Sequence, residues 1–284
     1  MSHMAHDVKT AVIAAAGHAT RMWPASKVLP KELFPLGRIP AIVHLVWELV
    51  DAGIRRVILV VGRQAARPIE MLLDRSIRPP TKIADDPVVR QFEVTLAETD
   101  FVILHQSGPY GNAVPLLLAA HSVGPEPCIY AFGDDIVLGE NVTKGLLKSY
   151  FSTGCPVLAA QHIESHRIPL FGILECWQEG GFEYVSRLIE KPSPGQTLSD
   201  LASFGRYLVT PDLMDTLRTI TPSRDGELWF VDAVIRRINN GERVCAFTLT
   251  SGKWYTVGDP LSYAEAVKAA TETGFYSASA RLVG

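Results

Sequence analysis

Between residues 16 and 31 the chain reads Ala16-Gly17-His18-Ala19-Thr20-Arg21-Met22-Trp23-Pro24-Ala25-Ser26-Lys27-Val28-Leu29-Pro30-Lys31. Small residues at its start let the backbone come close to a ligand, where N–H groups can cradle phosphate oxygens. Arg21, Lys27 and Lys31 supply positive charge, and no carboxylate interrupts the stretch. Arginine offers phosphate a bidentate fork and lysine a point charge. On residue types alone, a phosphate loop and a solvated basic loop stand about even. The stretch lacks the G-K-[ST] of a Walker loop and is not G-x-G-x-x-G.

Further downstream, other groups could work with such a loop. Gln106-Ser107-Gly108-Pro109-Tyr110-Gly111-Asn112 offers a side-chain amide able to read a base edge, or else a plain turn before a helix. Gly133-Asp134-Asp135 follows an apolar run, where a carboxylate can hold Mg²⁺ against phosphates. An isolated Asp-Asp is more often a turn or a helix cap. Glu190-Lys191-Pro192, taken alone, is a surface ion pair of little energetic value.

The elements that must position these groups show in the hydrophobic pattern. Ala11 to Ala16, Arg56 to Val61, Phe101 to His105, Cys128 to Phe132 and Pro156 to Ala160 are short apolar runs that predict strands. Helical spacing fills 40–52, closed by Gly53, and also 65–74, 113–121 and 141–151. Apolar strands alternating with helices predict a parallel sheet covered on both faces. Ligands of such sheets bind beyond the carboxyl ends of the strands, where Gly17 and Asp134 fall. Residues 79–87 read as a surface loop. After about residue 165 come strands near 171–176, 182–189, 204–209 and 243–249, with helices near 211–219, 228–239 and from about 260. His44 and Trp47 read as core, and His18 as solvent-facing.

With 284 residues, 47% hydrophobic and a formal net charge of −3, the chain is neither disordered nor collagen-like. A basic excess fit for nucleic acid or an anionic membrane is absent. No segment has the roughly 18 consecutive apolar residues of a membrane helix. The scattered Cys128, Cys155, Cys176 and Cys245 have neither disulfide-framework nor zinc-finger spacing and suggest a reducing, cytoplasmic setting. Met1-Ser2-His3-Met4 has the look of an expression-vector remnant. Residues 1–8 are therefore set apart as a disordered remnant, with one domain over 9–284: a nucleotide-binding half to about 160 and a sugar-phosphate half beyond it.

The 16–35 stretch resembles the signature A-G-x-G-T-R-[ML]-x-P-x-[ST]-x-x-x-P-K-x-x-x-P of the sugar-1-phosphate nucleotidyltransferases, with Pro24, Ser26, Pro30, Lys31 and Pro35 in register. Met22 and Lys27-x-x-Pro30-Lys31-Glu32 are most similar to the bacterial-type UTP–glucose-1-phosphate uridylyltransferases. Leu170-Phe171-Gly172-Ile173, Ile189-Glu190-Lys191-Pro192, Gly205-Arg206-Tyr207 and Asp225-Gly226-Glu227 with Asp232 resemble later elements of that family. The resemblance spans about 9–273. It implies a Rossmann-like three-layer α/β/α fold with a mainly parallel mixed central sheet and a sugar-binding β elaboration in the C-terminal half.

The implied reaction is Mg²⁺-dependent: UTP and α-D-glucose 1-phosphate give UDP-glucose and pyrophosphate, without a covalent intermediate. Carried over residue by residue, Ala15, Ala16, Gly17, Arg21, Lys31, Gln106 and Gly111 hold the nucleotide. Gly172, Glu190 and Lys191 hold the sugar phosphate, and Gly172 leaves room for the hexose. Arg21, Lys31, Asp134 and Lys191 are the catalytic groups, with Asp134 the metal ligand. Glu227 and Asp232 are taken as structural, with lining of the sugar site as the alternative, and Asp259-Pro260 as a helix cap. A homodimer or homotetramer is implied, without nucleic-acid or membrane partners.

Two positions depart from the pattern. Ala19 stands where the family has glycine; it costs about 1–2 kcal/mol if the site needs a left-handed backbone, and nothing at negative φ. Thr256 stands where many relatives place a second metal-binding Asp, so the second ligand is open. The alternatives are dTTP or another hexose phosphate as substrate, or a nucleotide-sugar-binding protein without catalysis.

Overall fold

The structure is a computed structural model that describes residues 7–223 and 226–272. Of the proposed 1–8 remnant, residues 1–6 lie outside the described residues, as do Asp225 and the chain beyond 272, whereas Val8 is described and buried in the core.

From the N-terminus the elements are β1 (Thr10–Ala15), β2 (Pro35–Leu36), β3 (Ile39–Pro40), α1 (Ala41–Asp51), β4 (Arg56–Val61), α2 (Arg63–Leu73), α3 (Pro87–Glu98), β5 (Asp100–His105), α4 (Val114–Val123), β6 (Cys128–Phe132) and β7 (Asp135–Leu138). Then follow α5 (Val142–Thr153), β8 (Val157–His162), β9 (Gly172–Glu179), β10 (Phe182–Glu190), β11 (Leu201–Val209), α6 (Pro211–Leu217), α7 (Phe230–Asn239), β12 (Cys245–Thr248), β13 (Lys253–Thr256) and α8 (Pro260–Glu272).

One sheet runs through both halves in the order β5-β4-β1-β6-β11-β8-β12-β10-β9, with β9 also pairing β11. Strands β5, β4, β1 and β6 are mutually parallel. In the second half β12 pairs β8 in parallel, while β11 and β10 run antiparallel to their neighbours. The sheet is thus mixed, with its parallel pairings concentrated in the N-terminal half.

The strands are apolar on both faces because both faces are covered. Along β1, Ala11, Ile13 and Ala15 enter one core cluster, while Val12 enters the other. On β4, Val57, Leu59 and Val61 face the first cluster and Ile58 and Val60 the second. This period of two sorts helices α1, α2, α5 and α8 onto one face and α4, α6 and α7 onto the other.

Five elements escape the hydrophobic pattern: α3, β7, β13 and the two-residue strands β2 and β3. Helix α3 follows the expected 79–87 loop; Asp86 caps it, its carboxylate accepting from Val88 N and Val89 N, with Pro87 in the first turn. Strands β7 and β13 pair only with each other, Asp135 opposite Thr256. At the start of α8, Asp259 Oδ1 accepts from Ser262 N at 2.9 Å, as a cap does.

Candidate active site

The carboxyl ends of β1, β4, β5 and β6 open onto two adjoining cavities. Ala15, Ala16, Gly17, Lys31 and Gln106 line the first, of about 480 Å³. Arg21, Asp134, Gly172, Glu190, Lys191 and Thr256 line the second, of about 1090 Å³. Among the sequence candidates Gly111 stands outside both linings.

The glycine loop is held by its own side chains. Ala19 adopts φ 49° and ψ 39°, a left-handed conformation. The costly alternative for this position is therefore the one present, at about 1–2 kcal/mol. Its carbonyl accepts from Ser26 Oγ at 2.9 Å and from Met22 N at 3.0 Å. Ser26 is buried, and its own carbonyl accepts from the Gln64 amide. Neighbours thus over-determine a strained residue. His18 is exposed and stacks on Tyr110 with ring centroids 4.4 Å apart.

Lys31 lies beneath this loop. A Cβ built on Gly17 would stand 3.5 Å from Lys31 Nζ, in ordinary van der Waals contact. Lys31 Nζ donates to Asp134 Oδ2 at 2.6 Å. Burial by itself would lower the Lys31 pKa, but the charges of Asp134 and Glu32 outweigh it and raise it. Glu32 is only 2% exposed, a carboxylate that residue-type reasoning passed over. Burial pushes it up to about 7; Lys31 opposes that rise and Asp134 adds to it. A Glu directly after the motif lysine was the available signal.

The Gly133-Asp134-Asp135 turn divides its two carboxylates between tasks. Asp134 faces the cavity. Asp135 is buried, accepting from Gly205 N at 2.9 Å and from Trp254 Nε1 at 2.9 Å. Burial, then the neighbouring Asp134 charge, pushes Asp135 up to about 6. Behind it Arg206, 0% exposed, donates to the Asp135 carbonyl at 3.0 Å and pairs with Glu48 at 3.2 Å. Helix α1 thereby anchors the turn.

Thr256 ends β13 opposite Asp135. Its hydroxyl oxygen accepts from Gly258 N at 3.2 Å. A Cβ on Gly258 would lie 2.7 Å from Asp134 Oδ2, 3.2 Å from Thr256 Oγ1 and 3.7 Å from Arg21 Nη2. A carboxylate, a hydroxyl and a guanidinium therefore surround a space that only glycine leaves clear. No cluster of three His, Cys, Asp or Glu suited to a metal exists among the described residues. The hard oxygens of Asp134 and Thr256 fit a cation that takes one or two protein ligands and completes its shell from phosphates and water, as Mg²⁺ does.

Gln106 follows β5, and its carbonyl oxygen is buried without a hydrogen-bond partner. Its amide nitrogen donates weakly to Pro109 O at 3.4 Å. That leaves a buried acceptor unpaired beside the smaller cavity. Gly111, at φ 126°, packs instead against the Leu228 backbone, where a Cβ would come within 2.1 Å of the carbonyl oxygen. It fixes the loop's path.

On the other side, Gly172 pairs with Glu190 across β9 and β10. A Cβ there would lie 2.8 Å from Glu190 Oε2, so the glycine makes room for the carboxylate. Lys191 sits at φ 49°, its ammonium 5.3 Å from the centre of the Trp229 ring. Asp232 accepts from Ser223 Oγ and Glu227 O from Ser223 N, contacts that order the start of α7.

The arrangement gathers the cations Arg21, Lys31 and Lys191, the carboxylates of Asp134 and Glu190 and the amide of Gln106 around two adjoining cavities. Comparison with known proteins gives the same direction. The family model described as nucleotidyl transferase matches residues 10–273. UTP–glucose-1-phosphate uridylyltransferase 2 of Staphylococcus saprophyticus is 33% identical over 267 residues, 90% of this chain and 89% of that protein. UTP–glucose-1-phosphate uridylyltransferase YngB of Bacillus subtilis is 32% identical, covering 95% of this chain and 91% of that protein. A solved UDP-glucose pyrophosphorylase complexed with UDP-glucose superposes with a TM-score of 0.85 at 26% identity, covering 94% of this chain and all of that one.

Proposed function

The chain belongs to the nucleotidyl transferase family, and we propose that it forms UDP-glucose and pyrophosphate from UTP and α-D-glucose 1-phosphate. The observation that carries this reading is the Lys31–Asp134 pair at 2.6 Å, set where the two cavities meet. Full-length relatives named for this reaction support the choice of substrates.

The attacking group is a phosphate monoester oxygen of the sugar phosphate. Its second pKa is near 6, so it is already anionic at pH 7 and needs no general base. It displaces pyrophosphate from the α-phosphorus in line, so catalysis reduces to positioning and charge neutralisation. In our reading Gln106 accepts from the imide N–H of uracil, and the backbone at 15–17 cradles the phosphates. Lys31 and Arg21 neutralise charge on the α- and leaving phosphates. Lys191 pairs with the sugar phosphate, and Glu190 accepts from sugar hydroxyls.

The family generally uses a divalent metal. Here we propose Mg²⁺, held by Asp134 with the Thr256 hydroxyl beside it. When bound it supplies Lewis-acid charge stabilisation to phosphate oxygens. The nucleotide half (9–160) and the sugar-phosphate half (161–284) contribute to one sheet, which supports treating them as one catalytic domain. No helix among the described residues is long and apolar enough to cross a membrane. We propose a cytoplasmic enzyme, in keeping with four free thiols, and on the resemblance alone a homodimer or homotetramer.

The test is product identity. UTP, dTTP, ATP and GTP are each supplied with glucose 1-phosphate and Mg²⁺, and the nucleotide sugar is identified by mass spectrometry. UDP-glucose should dominate; a preference for dTTP would move the assignment to a thymidylyl donor.

A further inference from the structure

We infer that Trp229 is a positioning residue that holds the Lys191 ammonium ready for the phosphate of the incoming sugar phosphate. The inference rests on the uridylyl-transfer reading and adds a residue to it.

Lys191 is unusual on two counts. Its backbone is left-handed at φ 49°, which a non-glycine residue adopts only when its surroundings impose it. The imposing contact is in the backbone: Lys191 N donates to Phe171 O at 3.0 Å. Its ammonium makes no hydrogen bond or ion pair among the described residues, and its close partner is the Trp229 ring at 5.3 Å. Both side chains line the larger cavity.

An aromatic face attracts a cation through the ring quadrupole and takes none of its hydrogen bonds. The three N–H donors of Lys191 therefore remain for an anion. A lysine side chain is otherwise a flexible stem whose ordering opposes binding, and a ring that fixes it beforehand removes part of that cost.

Trp229 is itself firmly placed. Leu228 N donates to Tyr110 O at 3.0 Å, Ala113 N to Leu228 O at 3.0 Å, and Phe230 N to Asn112 Oδ1 at 2.7 Å. These bonds tie Trp229 to the loop that follows Gln106. The indole Nε1 is buried with no hydrogen-bond partner, so the protein uses the ring and not its N–H. Phenylalanine should then replace it, and an aliphatic side chain should not.

The experiment measures pyrophosphate release by the wild type, Trp229→Phe, Trp229→Leu, Trp229→Met, Lys191→Met and the Lys191→Met/Trp229→Leu double variant. Glucose 1-phosphate and UTP are varied separately, and folding is checked by thermal melts. Trp229→Leu should raise KM for glucose 1-phosphate about twofold to fivefold, the span of a cation–π contact at an exposed lysine. KM for UTP should not change, since the contact lies on the sugar side. Trp229→Phe should stay near the wild type, and Trp229→Leu should add nothing once Lys191 is Met. Trp229→Met reads the same effect if Trp229→Leu does not fold. An unchanged KM for glucose 1-phosphate in the aliphatic variants overturns the inference, as does equal impairment of Trp229→Phe. Silence of the wild type with these substrates would instead overturn the reading on which it rests.

Discussion

Lys31 Nζ stands 2.6 Å from Asp134 Oδ2, yet the two side chains line different cavities, Lys31 the smaller and Asp134 the larger. The pair is the seam of the site. Each partner neutralises the other until phosphates or a cation arrive, and each then has a charge to offer. Removing either should therefore damage the chemical step more than the fold. Lys31→Ala and Asp134→Asn should each lower kcat by about 10²–10³, the usual effect of losing one electrostatic donor from a transition state. Pyrophosphate release in stopped assays measures this, with circular dichroism as the folding control. Near-normal turnover would remove that residue from the mechanism.

Gly258 leaves clear the space that Asp134, Thr256 and Arg21 surround. Its alanine variant would place a methyl 2.7 Å from Asp134 Oδ2 and displace the carboxylate. Gly258→Ala should lose at least about tenfold in kcat while melting near the wild-type temperature. Full activity in that variant would show that the carboxylate does not act from this place.

Ala19 carries a left-handed backbone without the glycine that tolerates it. Ala19→Gly removes about 1–2 kcal/mol of strain and returns about 0.4–1 kcal/mol through the freer unfolded chain. A net gain of about 0.5–1 kcal/mol should raise Tm by about 1–4 °C in a chain of this size. Differential scanning calorimetry resolves such a shift, and a lowered Tm would contradict the strain argument.

Arg206 is fully enclosed and paired with Glu48 on α1. Breaking such a pair leaves a buried charge uncompensated, at about 3–5 kcal/mol. Glu48→Gln and Arg206→Met should both unfold at markedly lower urea, and the Asp135 turn should loosen with them. An unchanged urea midpoint would show that the pair does not anchor the turn.

Burial and the nearby Asp134 charge, partly opposed by Lys31, put Glu32 at about 7 in the folded chain, above the ordinary glutamate value of 4.5. The folded state therefore binds this proton more tightly than the unfolded state. Its contribution is full below about pH 4.5 and is lost as pH rises through about 7, some 3 kcal/mol at most. Stability of the ligand-free protein should fall less steeply across that window in Glu32→Gln. Identical slopes for variant and wild type would remove Glu32 as their source.

Much of the site was legible in the chain because short-range chemistry writes it there. The apolar run before Gly17, the cations at 21 and 31 and the aspartates after Phe132 fix strand ends and what stands on them. Other features were hidden because long-range partners decide them. Whether Ala19 is left-handed depends on Ser26 reaching back to its carbonyl. Strands β7 and β13 are only four residues each and exist through each other. Gly111 resembles a base-site glycine in sequence, but the Leu228 backbone sets its environment. Helix α3 was marked by Asp86-Pro87, an N-cap followed by a first-turn proline; its β-branched content and the prolines upstream masked the signal.

The central claim is uridylyl transfer across the Lys31–Asp134 seam. The most direct measurement is pyrophosphate release with UTP, glucose 1-phosphate and Mg²⁺, against controls lacking the metal, lacking the sugar phosphate, or holding dTTP in place of UTP. Release that requires both substrates and the metal, and that favours UTP, is the predicted result. No release with any nucleotide, from a protein that still binds UTP or UDP-glucose, would contradict it and leave a nucleotide-sugar-binding protein without catalysis.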